Sequence, residues 1–160
     1  MRRRAICVAL FSAEEFVRNF DKLDVLVNSA GVMLPKREET KEGLEKHLAT
    51  NVVSNVLLTE VLLPTLLRSE DARVILVASG GGLTEPLTWG DGYEKGNEPS
   101  KEVYGRNAYA RNKRQQIVLA EYWAQRYAER RNIGFYSMHP GWADTDAVKT
   151  AMPGFYDKVK

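Results

Sequence analysis

Four short, near-continuously apolar runs limit the folds open to this chain more than any other feature. They are AICVAL (5–10), DVLVN (24–28), RVILVA (73–78) and IGFYSM (133–138). Runs of this length without polar alternation suit strands covered on both faces. Helical patterns fill the intervals. FSAEEFVRNF (11–20) is read as a helix with Ser12 as its N-cap, and GLEKHLATNVVSNVLLTEVLLPTLL (43–67) as a long apolar helix with Pro64 near its end. A third helix is expected from Arg106 to Arg131. Strands alternating with helices predict a parallel α/β sheet, and 160 residues are enough for one domain around one core.

The formal charge of +2 is near balance and gives no reason to expect nucleic acid. The basic clusters Arg111–Lys113–Arg114 and Arg126–Arg130–Arg131 are interleaved with Glu121 and Glu129, which reads as a solvated helix face. A single cysteine, Cys7, excludes an internal disulfide and fits a reducing compartment, so a cytoplasmic location is the expectation. Ser54, Asn55, Thr59 and Glu60 break VVSNVLLTEVLLPTLL, so no run is expected to reach membrane-spanning length. The start MRRRAICVALFSA imitates a signal peptide, but its apolar patch is very short and is read as a strand. Neither His47 nor His139 has a partner at ligand spacing, so no metal site is expected.

Gly80 to Gly105 is a long aperiodic segment, and loops of this length in a compact domain are usually functional or disordered. Its GGG at 80–82 is not a P-loop, because no helix follows at once and no Lys-Ser/Thr accompanies it.

In open parallel sheets ligands bind beyond the carboxyl ends of the strands. Asn28-Ser29-Ala30-Gly31 ends one strand, Ser79 another, and His139-Pro140-Gly141 a third. The third helix brings Tyr109 and, one turn later on the same face, Lys113. Continuing that face gives Ile117, Ala120, Ala124 and Tyr127, an apolar inward stripe. A lysine at its start needs polar company. Asn51 raises the same question among Leu48, Val52 and Leu58.

These side chains suit carbonyl–alcohol redox chemistry. A free tyrosine has a pKa of about 10, and a nearby ammonium is expected to lower it. The hydroxyl can then exchange a proton with a substrate oxygen while hydride moves to or from a nicotinamide, and Ser79 would hydrogen-bond the same oxygen.

The stretches LDVLVNSAG (23–31), ATNVVSN (49–55), RVILVAS (73–79), YARNK (109–113) and HPGWADT (139–145) resemble, in order and spacing, the short-chain dehydrogenase/reductase family. NKRQQ, SMHPGWADT and AMPGF resemble its retinol-dehydrogenase-like branch. The resemblance implies a partial Rossmann-type, doubly wound parallel sheet that uses NAD or NADP. It implies that Tyr109 is the acid/base and that Lys113 lowers its pKa and holds the nicotinamide ribose. By the same resemblance Ser79 orients the substrate oxygen and Asn51 holds a water in a proton relay. Asn28, Ala30 and Gly31 would approach the cofactor, with Pro140, Gly141 and Thr145 bordering the nicotinamide. It further implies a small carbonyl or alcohol substrate, lipid-like in this branch, and a homodimer formed through the two long helices.

The sequence departs from the family pattern at Ser29, commonly asparagine, and at Ser54, commonly glycine. A larger departure is at the front. The family's TGxxxGxG turn brings backbone close to the cofactor pyrophosphate at a helix N-terminus, whereas the first glycine here is Gly31. No Asp follows residues 5–10, where the family commonly has one, and the sequence stops soon after Ala151-Met152-Pro153-Gly154. The expectation is therefore the catalytic half of a single, incomplete domain over 1–160. A catalytically inactive relative serving as a binding or scaffolding module is the alternative.

Overall fold

A computed structural model describes residues 5–90, 92–93, 96–141 and 157. Helix α1 (Ala5–Asn19) leads into strand β1 (Val25–Asn28). A short helix α2 (Lys46–Leu48) and a π-helical turn (Ala49–Val53) continue into α3 (Ser54–Leu66). Strand β2 (Ala72–Val77), a 3₁₀ turn (Gly80–Leu83), helix α4 (Lys101–Arg126) and strand β3 (Ile133–Met138) complete the order. The strands form one parallel sheet, β1-β2-β3, with Leu26 beside Val74 and Val74 beside Phe135. Its right to the α/β class rests on that all-parallel pairing, each crossover being made by a helix.

One expected strand is a helix. AICVAL opens the fifteen-residue α1, on which Ala13 is buried and Ile6 and Phe16 are half-buried. These residues lie at turn spacing on one face, Ala13 and Phe16 join the core with α3, and α1 packs on α3, so the run belongs to a helical stripe. A short apolar run does not by itself distinguish strand from buried helix, and here the stripe through Phe16 decides. Ser12 therefore lies inside the helix, exposed, and caps nothing. Helix α4 also starts five residues earlier than expected and ends at Arg126.

The core joins Leu26, Val74, Leu76, Ile133 and Phe135 of the sheet to Leu62, Leu63 and Leu66 of α3 and to Ala120 and Trp123 of α4. Trp123 lies against Phe135, ring centroids 5.9 Å apart, and gives its indole N–H to Glu60 at 2.8 Å. Among the described residues helices cover only this face. Val25, Val27, Tyr136 and Met138 on the other face are exposed, so the strands are apolar on two sides and covered on one.

Lys46–Leu66, taken as one helix, is long and apolar enough to cross a membrane, contrary to the expectation from the sequence. The expectation failed because the polar residues interrupting the run do not remove it. Ser54, Asn55, Thr59 and Thr65 are buried, and Ser54 and Asn55 bond to carbonyls one turn back, so the helix serves as the core helix of the sheet.

The segment after β1 is pressed against α4 at Gly105, where a Cβ would overlap the Leu34 carbonyl oxygen. Alanine would gain about 0.5–1 kcal/mol as a helix residue, but overpacking against backbone costs about 1–3 kcal/mol. Gly105→Ala is therefore expected to destabilise the chain by roughly 1–2 kcal/mol in urea melts. An unchanged or raised midpoint would show that the two backbones separate freely.

Candidate active site

The carboxyl edge of the sheet gathers most of the residues singled out above. Asn28 ends β1 on the covered face. Its amide donates to Thr59 Oγ1 of α3 at 3.2 Å, while its Oδ1 is buried with no hydrogen-bond partner among the described residues. Ser29, Ala30 and Gly31 then run exposed over the edge. A Cβ on Gly31 would stand 3.5 Å from Asn51 Oδ1 and 3.6 Å from Lys113 Nζ, which places backbone, amide and ammonium within one small space.

Asn51 is fully buried at the centre of the π-helical turn. Such turns interrupt the regular bonding of a helix and are frequent at functional sites. Its side chain grips the backbone of Val32 twice, accepting from the N–H at 2.8 Å and donating to the carbonyl at 3.0 Å. Its own carbonyl accepts from Gln116 Nε2 at 2.6 Å and Asn55 Nδ2 at 2.7 Å.

Ser79 follows β2 and caps the 3₁₀ turn, its hydroxyl accepting from the Gly81 N–H at 3.3 Å. The same side chain stands close enough to the Tyr109 phenol to favour its ionised form slightly. The GGG sequence has a packing role: a Cβ on Gly82 would fall 2.8 Å from the Lys113 carbonyl carbon. The turn after Ser79 thereby lies directly on the helix that carries Tyr109 and Lys113.

Lys113 is 3% exposed, so the solvated face expected for its cluster does not form around it. Its Nζ donates to the Val77 carbonyl at 2.7 Å and lies 5.3 Å from the centroid of the Tyr109 ring. Arg111 beside it is also withdrawn from solvent, paired with Glu85 at 3.0 Å and stacked over Tyr93 at 4.4 Å. The apolar stripe runs from Lys113 through Ala120 to Trp123; Ala124 is exposed. The 3.6-residue repeat drifts with length, so a face extrapolated over several turns loses its register.

The electrostatics differ from the expectation. Burial lowers the Lys113 pKa to about 8. Burial also raises the Tyr109 phenol above its ordinary value, against a smaller lowering from Ser79. Lys113 does not lower the phenol here, because its ammonium is turned to Val77 and is itself desolvated. Tyr109 thus keeps its phenolic proton through neutral pH.

Pro140 and Gly141 lie exposed after β3, Gly141 at a positive φ of 82°. Thr145 lies outside the described residues. No cluster of three or more metal-ligating side chains occurs among the described residues.

Sequence reasoning missed a buried polar layer around the site. His47 accepts the Leu34 N–H on Nε2 at 2.8 Å and meets Glu45 through Nδ1 at 2.7 Å, so Nδ1 carries the ring proton. Glu45 also caps α2, accepting from the His47 and Leu48 N–H groups. Burial pushes its carboxyl up, but these hydrogen bonds more than offset it and leave the pKa below the usual value. Asn112, Gln115 and Gln116 are buried as well. Their signal was the run NKRQQ itself, whose amides flank an inward-facing lysine.

A model of the short chain dehydrogenase family matches residues 6–94. The chain is 48% identical over 145 residues to human dehydrogenase/reductase SDR family member 12, covering 89% of this chain and 44% of that protein. It is 31% identical over 151 residues to human polyprenol dehydrogenase, covering 88% and 44%. The chain therefore spans somewhat under half the length of these curated relatives. Among solved structures, a short chain dehydrogenase from Shigella flexneri in complex with NADP superposes with a TM-score of 0.64 at 22% identity. That match covers 91% of this chain and 54% of that one, and shares its fold.

Proposed function

The chain belongs to the short-chain dehydrogenase family, and from that premise we propose that it carries the catalytic part of an NAD(P)-dependent oxidoreductase interconverting a carbonyl compound and an alcohol. The observation that carries the proposal is the convergence of Gly31, Asn51 and Lys113 beside the Ser79–Tyr109 pair at the carboxyl edge of a parallel sheet.

The residues fit the nicotinamide end of the cofactor. Gly31 leaves an open cradle that a side chain would fill, and Asn28 Oδ1 is a buried acceptor without a partner among the described residues. Lys113 would hold the ribose, the backbone of Asn28, Ala30 and Gly31 would line one side, and Pro140 and Gly141 the other. When bound, the nicotinamide gives or takes the hydride. Tyr109, protonated at neutral pH, donates its proton to the carbonyl oxygen as negative charge develops there, which favours reduction. Ser79 orients that oxygen and the phenol together. Lys113, fastened to the Val77 carbonyl, stays beside the Tyr109 ring, and Asn51 fixes the segment at Val32. The named relative polyprenol dehydrogenase supports a lipid-like substrate, as does the exposure of Leu83, Leu87 and Trp89 on the loop between Ser79 and α4.

The pyrophosphate end has no such fit, since no glycine precedes Gly31 in the sequence. In this reading its donors come from a segment other than these 160 residues. That same observation favours the second reading, a binding or scaffolding module that retains the site residues without turnover.

Residues 1–160 alone are expected to bind NADH and NADPH no more tightly than about millimolar. Charged hydrogen bonds contribute about 1.5–3 kcal/mol each, and the loss of two or three takes a micromolar site past that limit. Calorimetric titration of the folded chain checks this; a dissociation constant below about 100 micromolar would overturn the division of the cofactor site. The reaction itself is tested by cofactor turnover with aldehydes, ketones and alcohols of increasing chain length, using the product of the complete coding sequence. Turnover supports the enzyme, and tight cofactor binding without turnover supports the module.

A further inference from the structure

Behind the site, three buried amides form a chain that ends on the loop between Ser79 and α4. Asn51 Nδ2 donates to Asn112 Oδ1 at 3.4 Å. Asn112 Nδ2 donates to Gln115 Oε1 at 3.2 Å and to the Gly90 carbonyl at 3.5 Å. Gln115 Nε2 donates to the Thr88 carbonyl at 2.6 Å and to the Gly90 carbonyl at 2.7 Å. Asn51 and Asn112 are fully buried and Gln115 is 8% exposed.

The direction of this chain is fixed at both ends. The Val32 N–H can only donate, so it sets Asn51 Oδ1 as acceptor and its NH₂ as donor. The Thr88 and Gly90 carbonyls can only accept, so they set the Gln115 NH₂ toward the loop. Between them Asn112 has one orientation that serves both neighbours. Every amide N–H of the three side chains is placed, and reversing any one sets like groups against each other. Buried networks satisfied throughout in this way are cooperative, because the cost of an unpaired member in low dielectric is large.

We propose that Asn112 and Gln115 are positioning residues that fasten the Thr88–Gly90 loop to Asn51, so that the loop and the Val32 segment beside Gly31 are ordered as one unit. The substrate role of that loop rests on the function proposed above; the coupling itself does not. The loop joins Ser79 to the helix bearing Tyr109, and Trp89 stands at its tip, 97% exposed. Anything that engages the loop is felt at Val32, and anything that fills the Gly31 cradle is felt at the loop. The path is a set of hydrogen bonds, with no movement of α4 required.

Residue-resolved amide exchange on the full chain tests this. Gln115→Glu keeps the size of the side chain and its acceptor for Asn112, but removes both donors to the loop. We expect the Val32 amide to exchange roughly tenfold faster, although Gln115 does not touch it, since a broken hydrogen bond contributes about that factor. The Leu34 amide is the internal control, because its partner is His47, outside the chain of amides. It should keep its wild-type rate. Gln115→Met, which removes the donors without adding charge, gives the same comparison if the glutamate variant does not fold. Acceleration confined to the loop, with Val32 unchanged, would overturn the coupling. Equal acceleration of Val32 and Leu34 would also overturn it, since that is general loosening. Exchange needs no turnover, so an inactive protein with a coupled Val32 would sink the enzyme reading and leave this one standing.

Discussion

Tyr109→Phe is expected to lower kcat by about 10² to 10⁴ while leaving cofactor affinity within a few-fold of wild type. The substitution removes only the hydroxyl, and with it the proton that a developing alkoxide would take. The ring stays in place over the same α4 backbone, 5.3 Å from an ammonium that is anchored to Val77 rather than to the phenol. Stability should change little, by about 1 kcal/mol, because only a half-buried hydroxyl beside Ser79 is lost. Because the phenol pKa lies above its ordinary value, the wild-type reduction rate should show no loss attributable to Tyr109 through neutral pH. Steady-state kinetics with the best substrate of the panel decide the matter. Equal kcat values for Tyr109→Phe and wild type would take the tyrosine out of the mechanism.

Lys113 gives the second large effect, and it is readable without any substrate. Burial disfavours the ammonium and holds its pKa at about 8 instead of 10.5. Between those values the unfolded chain binds a proton that the folded chain does not, so stability rises as pH rises across the window. At about 1.4 kcal/mol for each pH unit, the full change is on the order of 3 kcal/mol. Tyr109 acts in the opposite direction but higher up. Its folded pKa is raised, so the stability tied to the protonated phenol is lost only as pH climbs past 10. Urea melts from about pH 7 to about pH 10 should therefore show a rising midpoint in wild type and a nearly flat one in Lys113→Met. A flat wild-type profile would mean that the ammonium is better solvated than its burial implies. Under the proposed function the same substitution should reduce both turnover and cofactor affinity, since Lys113 Nζ stands near both the Gly31 backbone and the Tyr109 ring.

Much of the site could be read from the sequence because its residues sit at the ends of elements whose type the sequence dictates. Parallel strands expose their carboxyl ends on one edge, so Asn28, Ser79 and Pro140 had to fall near each other once the runs at 24–28, 73–78 and 133–138 were strands. Helical spacing put Tyr109 and Lys113 on one face in the same way. The run at 5–10 was misread because its type depended on what it packs against. Only the packing of α1 on α3 draws Ala13 and Phe16 into the core.

What the sequence determined by itself, then, was the class of the fold, the sheet edge where its polar side chains gather and the candidate residues there, all consequences of local periodicity and chain direction. Tertiary structure alone decided their state. Desolvation raised the Tyr109 phenol and brought Lys113 to about 8, and neither shift is visible in the spacing of a tyrosine and a lysine. Nor does any sequence rule link Asn51 to Gln115 and the Thr88 carbonyl, residues that are distant along the chain and joined only through space. Dielectric environment and long-range hydrogen bonding depend on which surfaces the packed chain removes from water, and local pattern carries no record of that.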